Sequence, residues 1–274
     1  INDGCFRPLK VILPEGKVVN ARRPAPMRWW MTFPMTVVDT VFRALAPAIP
    51  DRVIAGHHAD LVIASIHGRQ PADNKLFLYL GGLIGGGWGA KFNEDGMSAT
   101  IAINDGDTHN GPSEQVEAKY PLLVEKYQLR PDSGGAGTFR GGLGTEQTIR
   151  VMSDIMFNTQ IERVECRPWG LFGGLSAFGN EVCIQRKGEE EVVYKTGKVF
   201  SQTLRSGDAW TLRSGGGGGC CCCGCCCFGA GTAGGCSAVS GGVGGGGGGG
   251  TAGCCCACRS LSSAACSADV TDCF

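Results

Sequence analysis

Residues 130–144 constrain the fold more than any other stretch of the chain; they read RPDSGGAGTFRGGLG and contain six glycines. Glycine is required where φ is positive or where another group approaches the backbone closely. Leucine and phenylalanine interrupt the glycines, so the stretch is not a flexible Gly/Ser spacer. We expect a tight, partly buried loop in which Asp132 pairs with Arg130 and Arg140 and so contributes more to stability than any histidine. Two interpretations stay open: a structural corner held by ion pairs, or a loop that shapes a substrate pocket.

Composition limits the possible functions. The 274 residues have room for one or two domains with a sizeable core. The formal net charge is zero and 18% of the residues are charged, which does not favour binding to nucleic acid or to an anionic membrane. No apolar run approaches the ~20 residues of a membrane span. Because the sequence begins at Ile1 within a motif, we expect the C-terminal portion of a longer protein.

The composition changes abruptly after residue 214. Of 17 cysteines, 14 lie in residues 215–274, together with an unbroken glycine run at 244–250. Zinc ligands come as spaced pairs with folded sequence between them, unlike these clusters. We therefore predict a folded domain at 1–214 and a low-complexity tail at 215–274 that is disordered or artefactual, with a metal-sequestering tail as the alternative. The three cysteines before residue 215 favour a cytoplasmic protein with reduced thiols.

The pattern of the body predicts an α+β fold dominated by antiparallel strands, with few helices. Residues 36–46 combine helical spacing of apolar side chains with a capping Thr36 and a terminating Pro47. Short apolar segments separated by glycine or charged turns predict strands at 61–66, 75–80, 99–103, 122–130, 145–152, 156–164, 182–186, 192–195, 199–205 and 209–212.

The loop at residues 104–114 is the most polar of the body. Its imidazole, amide and carboxylate groups are suited to general acid–base work or to one oxygen-rich cation site. A hydrogen-bonded turn that caps the following helix explains the same residues equally well. Together with the glycine-rich loop, it supplies the candidate catalytic residues: Arg130, Asp132, Arg140, His109, Asn110 and Glu114.

His57, His58 and Asp60 are candidate metal ligands, because imidazole and carboxylate groups suit a first-row divalent ion. Neighbouring side chains on a strand point to opposite faces, however, so the two histidines need not converge. A polar turn without metal is the alternative.

Residues 81–91, GGLIGGGWGAK, do not match a nucleotide-binding loop. A P-loop requires G-x-x-x-x-G-K-[ST], whereas here Ala90 precedes Lys91 and Phe92 follows it. A turn at 93–96 replaces the helix whose N-terminus would hold a pyrophosphate. We therefore do not expect ATP to bind to this chain.

Several motifs in a fixed order carry a family resemblance: NDGCFRPL at 2–9, LPEG at 13–16, NGPSEQVEAKYP at 110–121, RPDSGGAGTFRGGLG at 130–144 and PWGLFGG at 168–174. Over residues 1–214 the chain resembles the B subunit of the hydantoinase/oxoprolinase family, which includes N-methylhydantoinase B and the corresponding subunits of acetone and acetophenone carboxylases. Two features depart from that pattern: NGPSE stands where the family usually shows NTPVE, and the end of the chain is not family-like.

The resemblance implies a subunit of an ATP-dependent amidohydrolase that acts on a small cyclic amide of the hydantoin or 5-oxoproline type. It also implies that a hydantoinase A-like partner subunit binds the ATP. A divalent metal ion would be held by an N-terminal part that this chain lacks, where the family has a string similar to residues 57–60. The alternatives are a subunit of an ATP-dependent ketone carboxylase of the acetone or acetophenone type, a standalone metal-binding module, and a non-catalytic assembly scaffold.

Overall fold

The computed structural model describes residues 4, 7, 10–26, 32–103, 105–106 and 108–221. Within these ranges the chain forms two helices and nine strands. Neither helix has the length and apolar character needed to cross a membrane. In chain order the elements are α1 (Thr32–Leu45), β1 (Ile63–Arg69), β2 (Leu76–Gly82), α2 (Ser113–Lys119), β3 (Leu122–Leu129), β4 (Thr145–Val151), β5 (Ile155–Gln160), β6 (Glu181–Gln185), β7 (Glu191–Val193), β8 (Gln202–Leu204) and β9 (Ala209–Arg213).

The strands form two antiparallel sheets. One has the order β2-β1-β5-β8 and the other the order β3-β4-β9-β6-β7. Alternate side chains of β5 are buried, as expected for a strand with one face in a core. The sequence prediction of an α+β fold dominated by antiparallel strands is therefore confirmed.

The main core lies between the two sheets. Phe157 of β5 meets Trp210 of β9 with ring centroids 5.4 Å apart, and both side chains are buried. Ile66 of β1 and Ile149 of β4 belong to the same cluster of buried apolar side chains. Burying such side chains contributes ~1.5–3 kcal/mol each, so this cluster is the main apolar support of the sandwich.

Two predicted elements differ from the structure. Helix α1 begins at Thr32 rather than Thr36, because Pro34 lies in the first turn, where its missing N–H is not needed. Residues 99–103 do not form a strand. Thr100 makes only an isolated bridge with Gly86, while the N–H of Ala99 donates to Leu143, so this backbone bonds to two different segments.

A glycine segment, residues 215–220, runs between three other glycine-rich segments and bonds to each of them in turn. Residues 215 and 218 bond to 87–90, residues 216 and 219 to 171–178, and residues 217 and 220 to 135–142. The partner repeats every three residues, which is the period of a polyproline II-like helix. In this arrangement the backbone hydrogen bonds point outward to neighbouring chains rather than along one ladder.

Only glycine fits at the centre of this bundle. A Cβ added at Gly217 would lie 1.8 Å from the carbonyl oxygen of Trp88, and one at Gly218 would lie 1.9 Å from that of Trp169. Both distances are far shorter than any real contact. The glycines are therefore required by close backbone approach, as in collagen.

The described fold continues for seven residues beyond the predicted domain end at residue 214. Residues 215–220 are buried, and residues 215–221 all hydrogen-bond to the body. The predicted disorder of residues 222–274 falls outside the described residues and stays a prediction.

Cys166 and Cys220 are each disulfide-bonded, so the expectation of reduced thiols before residue 215 is wrong for Cys166.

Candidate functional site

Two of the predicted catalytic residues, His109 and Asn110, line a pocket of about 180 Å³. Its walls come from the end of β2, the start of α2, and strands β3 and β4. Ser113, the first residue of α2, also lines it. Two side chains of the polar loop thus face a cavity, and no side-chain cap bond is found at α2.

The opposite wall holds Tyr127 of β3 and Gln147 of β4. These residues are direct partners in the antiparallel pairing, which places their side chains on the same face of the sheet. The side-chain amide of Asn110 donates a hydrogen bond to the Tyr127 hydroxyl. Burial raises the pKa of Tyr127, so the phenol keeps its proton. The carbonyl oxygen Oε1 of Gln147 is buried and has no partner among the described residues.

Glu114 does not reach this pocket. It lies on the exposed surface of α2 and is absent from the described residues that line the cavity. The sequence placed it beside His109 and Asn110 by chain proximity alone. Helical geometry turns it away from the face that Ser113 and Val116 share.

The expected pairing within the glycine-rich loop is wrong. Arg130 is buried and forms its ion pair with Glu181, and it donates to the carbonyls of Gly179 at 2.8 Å and Ser214 at 3.3 Å. Arg140 instead faces Asp95, with Nε 3.6 Å from Oδ2. Asp132 is exposed at φ 54° and forms no ion pair with a described residue.

The glycine segment explains this difference. It occupies the interior of the loop, where the N–H of Gly135 donates to the carbonyl of Gly217 and the N–H of Gly217 donates to that of Gly142. Backbone contacts thus fill the space in which the charged side chains were expected to meet. The loop is held by backbone hydrogen bonds rather than by internal ion pairs.

A second polar cluster is fully buried beneath α1. Asp39 of α1 binds Nδ1 of His57 through Oδ1 at 2.6 Å, and its Oδ2 accepts from the backbone N–H of His57 and from Arg163 at 2.7 Å. Arg163 also donates to the carbonyl of His57 and stacks its guanidinium 4.7 Å from the ring centre of Trp169. These contacts tie α1 to two distant loops.

Asp60 and His58 continue the buried cluster. Oδ2 of Asp60 accepts from the backbone N–H of Glu162 at 2.9 Å and from the amide of Asn180 at 3.3 Å. Burial raises the pKa of Asp60 to about 7. Burial also lowers the pKa of His58 to about 3, helped by the charges of its neighbours His57 and Arg163. Asn180 links this pair to the glycine segment, because its Oδ1 accepts from the N–H of Gly215.

The three candidate metal ligands do not fit a divalent ion as they are arranged. Nε2 of His57, both ring nitrogens of His58 and Oδ1 of Asp60 are buried without a partner among the described residues, and the bond from Nδ1 of His57 to Asp39 is by itself compatible with a metal ligand. The guanidinium of Arg163 lies in the same cluster and would repel a cation. Within the described chain, no group of three or more His, Cys, Asp or Glu side chains is placed to hold a metal.

Sequence reasoning missed the partners that give these sites their geometry. In the sequence, Tyr127 and Gln147 have the pattern of ordinary strand residues, and Arg163 lies near the end of a predicted strand. Asn180 lies 120 residues from Asp60 along the chain, and Arg163 lies 124 from Asp39. No local pattern links residues so far apart.

A comparison against protein families agrees with the fold and with the sequence motifs described above. The family model for hydantoinase B/oxoprolinase matches residues 1–222. The chain therefore belongs to the hydantoinase B/oxoprolinase family. The match continues to residue 222 and so includes the glycine segment, in agreement with its burial.

Caprolactamase subunit beta from Pseudomonas jessenii is 38% identical over 160 residues, covering 57% of this chain and 27% of the relative. The crystal structure of the ATP-dependent caprolactamase from the same organism matches with a TM-score of 0.70 and 29% identity, over 81% of this chain and 39% of that chain. A nucleotide-free acetone carboxylase matches with a TM-score of 0.66 and 19% identity, over 76% of this chain and 32% of that chain. The chain thus spans well under half the length of these relatives.

Proposed function

We propose that this chain is part of a subunit of an ATP-dependent amidohydrolase that opens a small cyclic amide. The observation that carries the proposal is the agreement of two comparisons on one activity. The caprolactamase beta subunit is similar in sequence, and the solved caprolactamase is similar in structure at 29% identity. The carboxylase alternative has weaker support, because the acetone carboxylase match at 19% identity concerns the fold alone.

ATP would be bound by a hydantoinase A-like partner subunit, which would activate the amide carbonyl. The backbone of residues 81–91, the stretch GGLIGGGWGAK, supports this division of labour. A phosphate-binding loop needs free backbone N–H groups. Here the N–H groups of Gly86, Gly87, Trp88 and Ala90 all donate to backbone carbonyls, two of them in the glycine segment 215–220.

His109 and Asn110 would act at the substrate in the pocket beside Tyr127. An imidazole at the pocket wall can transfer the proton that ring opening requires, and a carboxamide can orient the amide. Arg130, Asp132, Arg140 and Glu114 stay predicted catalytic residues without a described place in the pocket. The divalent metal ion would be held by another part of the subunit, because the cluster around His57 does not fit one.

The scaffold alternative predicts no dependence of turnover on the pocket.

A cytoplasmic location also stays a prediction, and the disulfide at Cys166 argues against a fully reducing environment.

The test is reconstitution of the subunit that contains this chain with its ATP-binding partner. We expect ATP-dependent ring opening of a cyclic amide, and a loss of turnover of at least about 100-fold in His109→Gln. His67→Gln is the matched control, because His67 is exposed on β1 and lies outside this pocket. ATP- and bicarbonate-dependent consumption of a ketone, without amide hydrolysis, would replace the proposal by the carboxylase alternative. Full activity in His109→Gln would remove the pocket from the mechanism.

A further inference from the structure

Strand β2 lies at one edge of the four-stranded sheet and leaves that edge open. Its place at the end of the order β2-β1-β5-β8 gives it a single neighbour, β1, which pairs with every residue of Leu76–Gly82. The backbone of residues 76–82 makes no backbone hydrogen bond to any other described segment. Such an edge presents a row of unpaired N–H and C=O groups that another strand can bind.

The other three edges of the two sheets carry features that discourage pairing, and β2 does not. Strands β7 and β8 are three residues long, and β3 has a register shift beside the charged residues Glu125 and Lys126. Short edges, bulges and charged side chains are the usual protections of an edge strand. Strand β2, with the sequence LFLYLGG, is seven residues long and has no charge, no proline and no register shift. Its edge is therefore suited to a partner strand.

The outer face of β2 is an apolar stripe that is one strand wide. Leu76, Leu78 and Leu80 are 71%, 62% and 53% exposed, whereas Phe77 on the other face is buried. The next strand, β1, places polar side chains directly beside the three leucines, in the order Arg69, His67 and Ser65. A helix or sheet laid over this face would cover those polar groups as well. The stripe therefore fits a strand that is added beside β2.

The side chains of β2 suit pairing with a second copy of the same strand. The sequence LFLYL alternates leucine and aromatic residues and has the same pattern from both ends. In an antiparallel pair of two copies centred on Leu78, leucines therefore face leucines and aromatic rings face aromatic rings. The nearest charged residue, Lys75, lies opposite Gly81 in this register, so like charges do not meet.

We infer that β2 is a self-association edge, through which two copies of the chain pair antiparallel about Leu78 and join their four-stranded sheets into one. The inference is independent of the proposed function. A two-fold interface uses the same surface of both copies and closes on itself, so the product is a dimer. One strand pair is a small interface, and we therefore expect a dissociation constant in the micromolar range.

The test is analytical ultracentrifugation of the full 274-residue chain over a series of concentrations. The parent chain is expected to show a monomer–dimer equilibrium. Leu78→Lys should weaken the dimer at least about tenfold, because the two introduced ammonium groups face each other across the two-fold axis. Leu175→Lys is the matched control, since Leu175 is also 62% exposed and lies outside β2, and it should associate as the parent chain does.

Opposite charges test the register. Leu78→Glu should dissociate as Leu78→Lys does, but an equimolar mixture of the two variants should form a heterodimer, because an ammonium group then faces a carboxylate. A double variant, Leu76→Lys with Leu80→Glu, should dimerise without a second protein. Position 76 of one copy faces position 80 of the other in this register, so the introduced charges compensate each other.

Circular dichroism shows whether the variants keep the fold. If Leu78→Lys does not fold, Leu78→Thr, which keeps a strand-forming side chain but removes most of the apolar surface, should also weaken the dimer. A parent chain that is monomeric at the highest concentration, dimers that persist in the folded Leu78 variants, or a mixture of opposite charges that stays monomeric would overturn the inference. Growth of the parent chain beyond a dimer would overturn it as well, because two-fold pairing leaves no β2 edge free.

Discussion

Arg163 donates a hydrogen bond to Oδ2 of Asp39 at 2.7 Å, although 124 residues separate them along the chain. Both side chains are buried, and the other oxygen of Asp39 holds His57. The ion pair that organises this fold is therefore beneath α1 and not in the glycine-rich loop, where Asp132 is exposed. The expectation that Asp132 outweighs every histidine does not fit this placement.

Asp39→Asn should lower the free energy of unfolding by about 3 kcal/mol or more, because it leaves the buried guanidinium of Arg163 without its counter-charge. Asp132→Asn is the matched control; it removes an exposed carboxylate and should change stability by less than about 1 kcal/mol. Urea denaturation of both variants measures the difference. Equal stability of the two proteins would show that the Asp39–Arg163 pair contributes nothing net.

The contributions of Asp60 and His58 to the pH dependence of stability should nearly cancel between pH 3.8 and 6.5. Asp60 has a folded pKa of about 7, raised from 3.8, so its contribution is full below 3.8 and is lost as the pH rises through 7. His58 has a folded pKa of about 3, lowered from 6.5, so its contribution is full above 6.5 and is lost as the pH falls through 3. Between the ordinary pKa values of the two groups, 3.8 and 6.5, the pH dependence that Asp60 adds to stability cancels the opposite pH dependence that His58 adds.

Single variants should expose each slope. Asp60→Asn leaves His58 alone, so stability should fall by about 5 kcal/mol as the pH drops from 6.5 towards 3. His58→Gln leaves Asp60 alone, so stability should fall by a similar amount as the pH rises from 3.8 to 7. Urea titrations across this pH range measure both. Parallel pH profiles of the parent and both variants would contradict the assignment.

Gly217→Ala should destabilise the fold by at least about 2 kcal/mol, because its Cβ would overlap the carbonyl oxygen of Trp88 and the backbone must shift. Gly106→Ala is the control, since a Cβ there meets nothing within 4 Å and the residue has no positive φ. It should change stability by less than about 1 kcal/mol. Thermal melts of the two variants decide the matter, and a tolerated Gly217→Ala would argue against the close-packed bundle.

Truncation should locate the end of the folded domain. A chain ending at residue 221 keeps every described contact of the glycine segment and should melt like the full chain. A chain ending at residue 214 loses the segment to which three others bond, and it should fail to fold cooperatively. Circular dichroism and amide exchange compare the two. A folded chain of 214 residues would restore the boundary that the composition suggested.

The isolated chain should bind ATP no more tightly than a Kd of about 1 mM, because the N–H groups at 86–90 are occupied by backbone carbonyls. Equilibrium dialysis with labelled ATP and Mg²⁺ provides the measurement. Saturable binding in the micromolar range would overturn the assignment of ATP to the partner subunit.

Local patterns in the sequence were sufficient to predict most helices and strands, and to identify two residues on one wall of the pocket, His109 and Asn110. Short apolar segments between glycine or charged turns identified nine of the ten predicted strands, because such segments and turns are local features of the sequence. The exception, residues 99–103, bonds to two separate segments, which its own pattern does not reveal. His109 and Asn110 were recognised because they are adjacent in a polar loop.

The sequence by itself determined that the chain is an antiparallel α+β protein of this family, with glycines placed for close backbone approach. Only the tertiary structure decided what approaches them. It brought residues 215–220, which the composition assigned to a tail, into the centre of the fold, and it paired Arg130 with Glu181 and Asp39 with Arg163. The physical reason is that glycine contacts and buried ion pairs depend on partners far away in sequence, whereas strand and helix periodicity depends on neighbours.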